Sequence, residues 1–194
     1  MKKRRLMLCG LVSIIMVFVM AVPMTVSADT ATHVNNPADL QTAVNAGGEI
    51  VLDDDITASI TIPKGKNITL DLNGKTLTNK AGNHTITNEG TLTIKGDGTV
   101  DNVSHAKAAV YNKQGATATL SGGKFTRSKE TGKSDSVSGG NSYYNILNQG
   151  EMTINSGVEV SQTGHFSSLI DNGWYNGSEN TAKINAKLTI NGGT

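Results

Sequence analysis

A short phrase recurs along the chain and narrows what it can fold into more than any other feature. It reads Ile86-Thr-Asn88-Glu-Gly90-Thr-Leu92-Thr-Ile94-Lys-Gly96 and returns as Ile146-Leu-Asn148-Gln-Gly150-Glu-Met152-Thr-Ile154-Asn-Ser-Gly157. Looser copies start at Val110-Tyr-Asn112 and at Ile170-Asp-Asn172. Each copy has an apolar residue two before an Asn, a Gly-rich turn, a short alternating strand and a second Gly turn. One such unit cannot bury its apolar side alone, whereas stacked copies can.

The remainder of the chain fits the same plan. Asn36-Pro37-Ala38-Asp39 predicts a helix start, with Asn as cap and Pro at the first helical position. Leu40, Ala43 and Val44 then share a face, and Gly47-Gly48 ends the element. A helix of roughly two turns cannot stand alone, so covering the end of a stacked sheet is its expected task. Residues 49–52, 56–62, 68–72 and 75–78 read as strands, the third with Ile68, Leu70 and Leu72 facing inward. Asp29 to Asn35 reads as a loose linker. Residues 127–142, rich in Ser, Gly and Lys, read as the longest exposed loop, and residues 172–183 as a second insertion.

Strands this short, recurring in one order, argue for a coil over a sandwich with Greek-key crossings. The expected fold is therefore all-β: a coil of parallel, stacked strands with a short N-terminal capping helix. Stacking would place Asn88, Asn112, Asn148 and Asn172 above one another. Two readings of these residues stand side by side: a buried ladder of paired amides, or Asn residues that merely start surface turns.

Targeting separates the first residues from the fold. Lys2, Lys3, Arg4 and Arg5 precede an apolar run over residues 6–22, and Val26-Ser27-Ala28 supplies small residues before a cut. Residues 1–28 thus read as a signal peptide, 29–35 as a linker and 36–194 as the coil domain. The expected location is secreted or cell-surface, with membrane contact only through an uncleaved signal. Loss of the four basic residues leaves 13 basic against 16 acidic, a net of about −3, which offers nothing to nucleic acid. Cys9 lies within the signal, so the mature domain holds no disulfide. The last phrase, Leu188-Thr-Ile190-Asn-Gly192-Gly193, matches the start of a turn seen earlier at Leu120-Ser-Gly122-Gly123. It leads to the expectation that the domain continues beyond residue 194, or that its final rung is an open edge prone to self-association.

Candidate sites are few. Asp53-Asp54-Asp55 lacks the alternating ligands of a calcium loop and reads as a solvated turn. Asp71 points outward, and Asp97 and Asp101 read as lying in a Gly turn, a poor basis for a catalytic pair. His33, His84, His105 and His165 share no metal spacing and read as surface histidines. Arg127 reads as a solvated loop charge. No catalytic residue, metal site or cofactor is assigned. Tyr111, Tyr143, Tyr144, Trp174 and Tyr175 carry most of the aromatic mass; on a shared edge they could offer flat rings to a glycan or a protein.

The Asp39-Leu-Gln…Ala43-Val44 pattern, the Leu70-Asp-Leu72-Asn73-Gly74-Lys75-Thr76-Leu77 run and the Asn-x-Gly-x-Leu-Thr-Ile phrases resemble the right-handed parallel β-helix, pectin-lyase-like repeats of Gram-positive secreted and surface proteins. The resemblance implies that the coil is a right-handed parallel β-helix and narrows function little, because that group spans polysaccharide cleavage, adhesion and display. The acidic clusters and arginine base of its lyases find no counterpart here. The expectation is a non-catalytic adhesin-like or stalk module, binding an extracellular glycan or a host or cell-surface protein. The rival is a polysaccharide lyase or glycoside hydrolase with its catalytic rungs beyond residue 194.

Overall fold

The computed structural model describes residues 31–80, 82–104, 106–128, 144–162, 168–176 and 181–194, without the side chains of Tyr175, Asn176 and Ala182. The chain opens with β1 (Thr32–Val34) and α1 (Pro37–Ala46). Asn36 caps α1 by accepting from the amides of Ala38 (3.1 Å) and Asp39 (3.0 Å), and Gly47 closes it at φ 98° by donating to the Ala43 carbonyl. Leu40, Ala43 and Val44 are buried against the strands below.

Five turns of coil follow, each built from three strands. The first holds β2 (Gly48–Leu52), β3 (Ile56–Thr57) and β4 (Ile60–Ile62); the second β5 (Asn67–Asp71), β6 (Lys75–Thr78) and β7 (Ile86–Asn88). The third holds β8 (Thr91–Lys95), β9 (Gly98–Asp101) and β10 (Val110–Asn112). The fourth holds β11 (Thr117–Leu120), β12 (Gly123–Thr126) and β13 (Tyr144–Asn148), and the fifth β14 (Glu151–Ile154), β15 (Val158–Val160) and β16 (Ser168–Asn172). An antiparallel pair, β17 (Trp174–Asn176) and β18 (Thr181–Ile184), interrupts the coil before β19 (Lys187–Ile190) begins a sixth turn.

Corresponding strands of successive turns pair in parallel and in sequential order, giving three sheets: β1-β2-β5-β8-β11-β14-β19, β3-β6-β9-β12-β15 and β4-β7-β10-β13-β16. The fold is a parallel β-helix, and it winds with the right hand that parallel crossovers favour. Register keeps like residues in columns. Ile50, Leu70, Ile94, Leu120, Ile154 and Ile190 form one inward column, and Ile60, Ile86, Val110, Ile146 and Ile170 another. Apolar side chains of all three sheets merge into one continuous core. On the outer face of the first sheet, Thr69, Thr93, Thr119, Thr153 and Thr189 stack in a row, where β-branching suits the pleat.

Three expectations change. The predicted linker over residues 29–35 contains β1, which pairs with β2 and buries Val34; one apolar residue among Thr32, His33 and Val34 is too little pattern to reveal a strand. The insertion over residues 172–183 is not only loop, because β17 and β18 pair antiparallel. Arg127 is not a solvated loop charge: it is 1% exposed and sits directly after β12. The bulk of the loop expected over residues 127–142, with residues 1–30, lies outside the described residues. No described helix is long and apolar enough to cross a membrane.

Candidate functional site

The Asn phrase sets up the most developed surface feature. Asn88 Nδ2 donates to Asn112 Oδ1 (2.8 Å), Asn112 Nδ2 to Asn148 Oδ1 (2.8 Å), and Asn148 Nδ2 to Asn172 Oδ1 (2.7 Å). Nδ2 of the first three also donates to the first carbonyl of the first-sheet strand that follows the next ladder Asn, at Thr117, Glu151 and Lys187. The intervals of 24, 36 and 24 residues are therefore each one turn of coil. The same side chains also shape the local turn: Asn88 Oδ1 accepts from the Gly90 amide and Asn148 Oδ1 from the Gly150 amide. Ladder and turn thus coexist, since a carbonyl oxygen has two lone pairs.

Turn length after this ladder alternates. Residues 63–66 form a four-residue turn, Glu89-Gly90 two, residues 113–116 four and Gln149-Gly150 two; the insertion carrying β17 and β18 comes next. Long turns fold over the short turns that follow them. A Cβ on Gly90 would fall 2.5 Å from the carbonyl oxygens of Pro63 and Lys66. One on Gly150 would meet the carbonyls of Lys113 and Ala116. Only glycine fits under such an overhang.

Between the protruding turns lie recesses. The first, of about 250 Å³, has Glu89 on its floor and Lys64 and Lys113–Gly115 as walls. The second, of about 420 Å³, has Gln149-Gly150 as floor, with Gln114 and Thr117 on one side and Asn185 and Lys187 on the other. Asn185 and Ala186 also bound a third recess of about 270 Å³, lined by Asp171 and Trp174. Trp174 is 51% exposed there. Tyr111 Oη donates to Gln149 Oε1 (2.7 Å), and Lys113 Nζ to Glu89 Oε1 (2.6 Å). The third turn of coil thereby fixes the floor side chains of both its neighbours. Gln149 keeps its Nε2 hydrogens for other acceptors.

The aromatic residues are only partly gathered. Tyr111 stands behind the second recess, with its ring 4.9 Å from His84 at 44°. Its outward column reads Thr61, Thr87, Tyr111, Leu147 and Asp171, so the described rings do not form one row. Tyr144 opens β13 opposite Ser168. Its hydroxyl is held above the usual range by burial and by the nearby Asp171 carboxylate. Burial likewise raises the Asp171 carboxyl. Trp174 lines the third recess, while Tyr143 and the Tyr175 side chain lie outside the described residues.

The other candidates have structural occupations. Asp53 contacts His33 Nδ1 at 2.8 Å, Asp54 accepts from the Asp55 amide, and Asp55 accepts from the Thr76 amide. Asp71 accepts from the Asn73 amide and lies 3.5 Å from Lys95. Asp101 is no turn residue: it is buried at the end of β9 and accepts from Thr126, the Ser128 amide and the Ser128 hydroxyl. His84 is not a plain surface histidine either. Its Nδ1 accepts from the Ala108 amide (2.8 Å), and its pKa is lowered to about 4, first by burial and then by Lys107. His105 and His165 lie outside the described residues. Among the described residues no group of three His, Cys, Asp or Glu could hold a metal.

Sequence reasoning passed over the recesses because it treated every Gly turn as equivalent. The signal was present in the number of residues between each ladder Asn and the next strand. Against known families, curated proteins and solved structures the chain matches none.

Proposed function

We propose that this is a non-catalytic secreted or cell-surface β-helix module, adhesin-like, that holds a glycan in the recess over Gln149-Gly150. The observation that carries this reading is that recess: a floor amide positioned by Tyr111, amides from Gln114 and Asn185 on its rim, and Trp174 half-exposed in the adjoining hollow. Amides supply paired donors and acceptors for sugar hydroxyls, and an indole face packs on the apolar side of a pyranose. The scaffold suits display, because every turn of coil pairs with the next and the ladder locks the corner on which the recess sits. The basic and apolar N-terminal residues support export. Self-association through the last turn of coil belongs to the same proposal.

A glycan-array screen of the purified chain, repeated with Trp174→Ala and with Gln149→Ala, tests it. Binding that both substitutions weaken, with the sugars recovered intact, is the expected result. Cleaved sugars would replace a binding module by an enzyme. A profile indifferent to both substitutions would remove the recess from the account.

A further inference from the structure

The first and second recesses repeat. Each is a two-residue turn sunk between longer ones, each has the residue after a ladder Asn on its floor (Glu89 or Gln149), and the two share the wall at Gln114-Gly115. They are separated by two turns of coil, since β7 pairs with β10 and β10 with β13. Two strand spacings advance about 10 Å along the axis. That advance is close to one disaccharide of an extended β-1,4-linked chain.

We propose that the recesses are consecutive subsites for a neutral β-1,4-linked glycan lying parallel to the coil axis, one disaccharide to every two turns of coil. This rests on the glycan reading of the Gln149 recess and adds the ligand's linkage, charge and direction. In a β-1,4 chain successive sugars are turned over relative to each other. Every second sugar therefore presents the same substituent to the protein. Those substituents drop into the Glu89 and Gln149 recesses, while the sugar between them crosses the wall at Gln114.

Charge selects a neutral chain. Across the three recesses Lys64, Lys113 and Lys187 are set against Glu89, Glu151 and Asp171. Glu89 is already paired with Lys113 at 2.6 Å, and Glu151 lies 3.9 Å from Lys187. No field remains to attract a polyanion, and a polyuronate would have to break these pairs.

Calorimetric titration of the full chain with cello- and chito-oligosaccharides tests the proposal. The tetrasaccharide reaches both recesses and gains from the second contact being intramolecular, so it is expected to bind at least about tenfold tighter than the disaccharide. Glu89→Leu, which replaces the polar floor of the first recess by an apolar side chain on a half-buried turn, is expected to bring the tetrasaccharide down to the disaccharide's affinity. Circular dichroism of that variant confirms that the coil is retained. Equal affinity for disaccharide and tetrasaccharide would overturn the two-subsite arrangement while leaving the single Gln149 recess standing. Tighter binding of an oligouronate of the same length would overturn its neutrality. Absence of binding to every oligosaccharide would overturn both the glycan reading and this inference.

Discussion

The first and the last described turns of the coil differ in what packs on them. At the N-terminal end, α1 lays Leu40, Ala43 and Val44 over the first turn, β1 shields the edge of β2, and Lys66 Nζ donates to the Ala46 carbonyl at the end of the helix. In the last described turns Thr194 pairs with β15, accepting from the Val160 amide (2.8 Å) and donating to the Val158 carbonyl (3.0 Å), and among the described residues no strand pairs with the far edges of β16 and β19. Leu169 is 43% exposed and Ile190 is 60% exposed, beside an apolar hollow lined by Ile154, Val158 and Val160. The Asn ladder shows the same contrast: Asn88, Asn112 and Asn148 are fully buried, whereas Asn172 is exposed and turns its amide to the Ala186 carbonyl. The lesson is that in a solenoid one side chain type has a value set by its neighbours along the axis, high where turns of coil lie on both sides and lower where one lies on one side only.

Substitutions in matched pairs can break this comparison. The largest difference is expected between Leu40→Ala and Ile190→Ser. Emptying a fully buried site under α1 costs about 3–4 kcal/mol, whereas the exposed position changes stability by about 0.5 kcal/mol or less; urea denaturation reads both. Asn112→Ala comes next. It strips partners from Asn88, Asn148 and the Glu151 carbonyl within the core, and a loss of about 3 kcal/mol follows from leaving such groups unsatisfied. Asn172→Ala, by contrast, is expected to cost about 1 kcal/mol or less. Equal losses at 112 and 172 would remove the gradient.

Smaller effects sharpen the picture. Gly150→Ala forces a methyl against the carbonyls of Lys113 and Ala116, for an expected loss of about 2 kcal/mol together with weakened glycan binding. His84 supplies a pH signature. Its folded pKa of about 4 lies below the 6.5 of a free imidazole side chain, chiefly because of burial. The unfolded chain therefore binds the proton more readily. The stability contributed by neutral His84 is complete above the unfolded pKa and is lost as pH falls from about 6.5 through about 4. His84→Gln is expected to flatten the dependence of the urea midpoint on pH in that window. An unchanged slope would mean that the imidazole takes up its proton without cost.

The stacking was legible because it rests on local pattern: an apolar residue, an Asn and a Gly at fixed offsets define columns once strands lie in parallel. The helix was legible for the same reason, its cap and stop lying within a dozen residues. What escaped depends on neighbours from other turns of coil. Arg127 follows Thr126 in a polar stretch and gives no local sign of burial, yet the residues around it include Asp101-bonded Ser128 and the end of β12. Asp101 likewise takes its partners from 25 and 27 residues away. The recesses lie between these cases. Turn lengths were countable, but their effect appears only when a long turn is placed above a short one.

Hydrogen exchange, followed strand by strand in dilute solution, tests the central claim most directly. With β5 and β11 on either side of β8, and only β14 beside β19, Leu92–Ile94 in β8 should be protected strongly and Leu188–Ile190 in β19 weakly, with β14 between them. Protection of Leu188–Ile190 equal to that of Leu92–Ile94 at the lowest concentration would contradict the gradient along the coil.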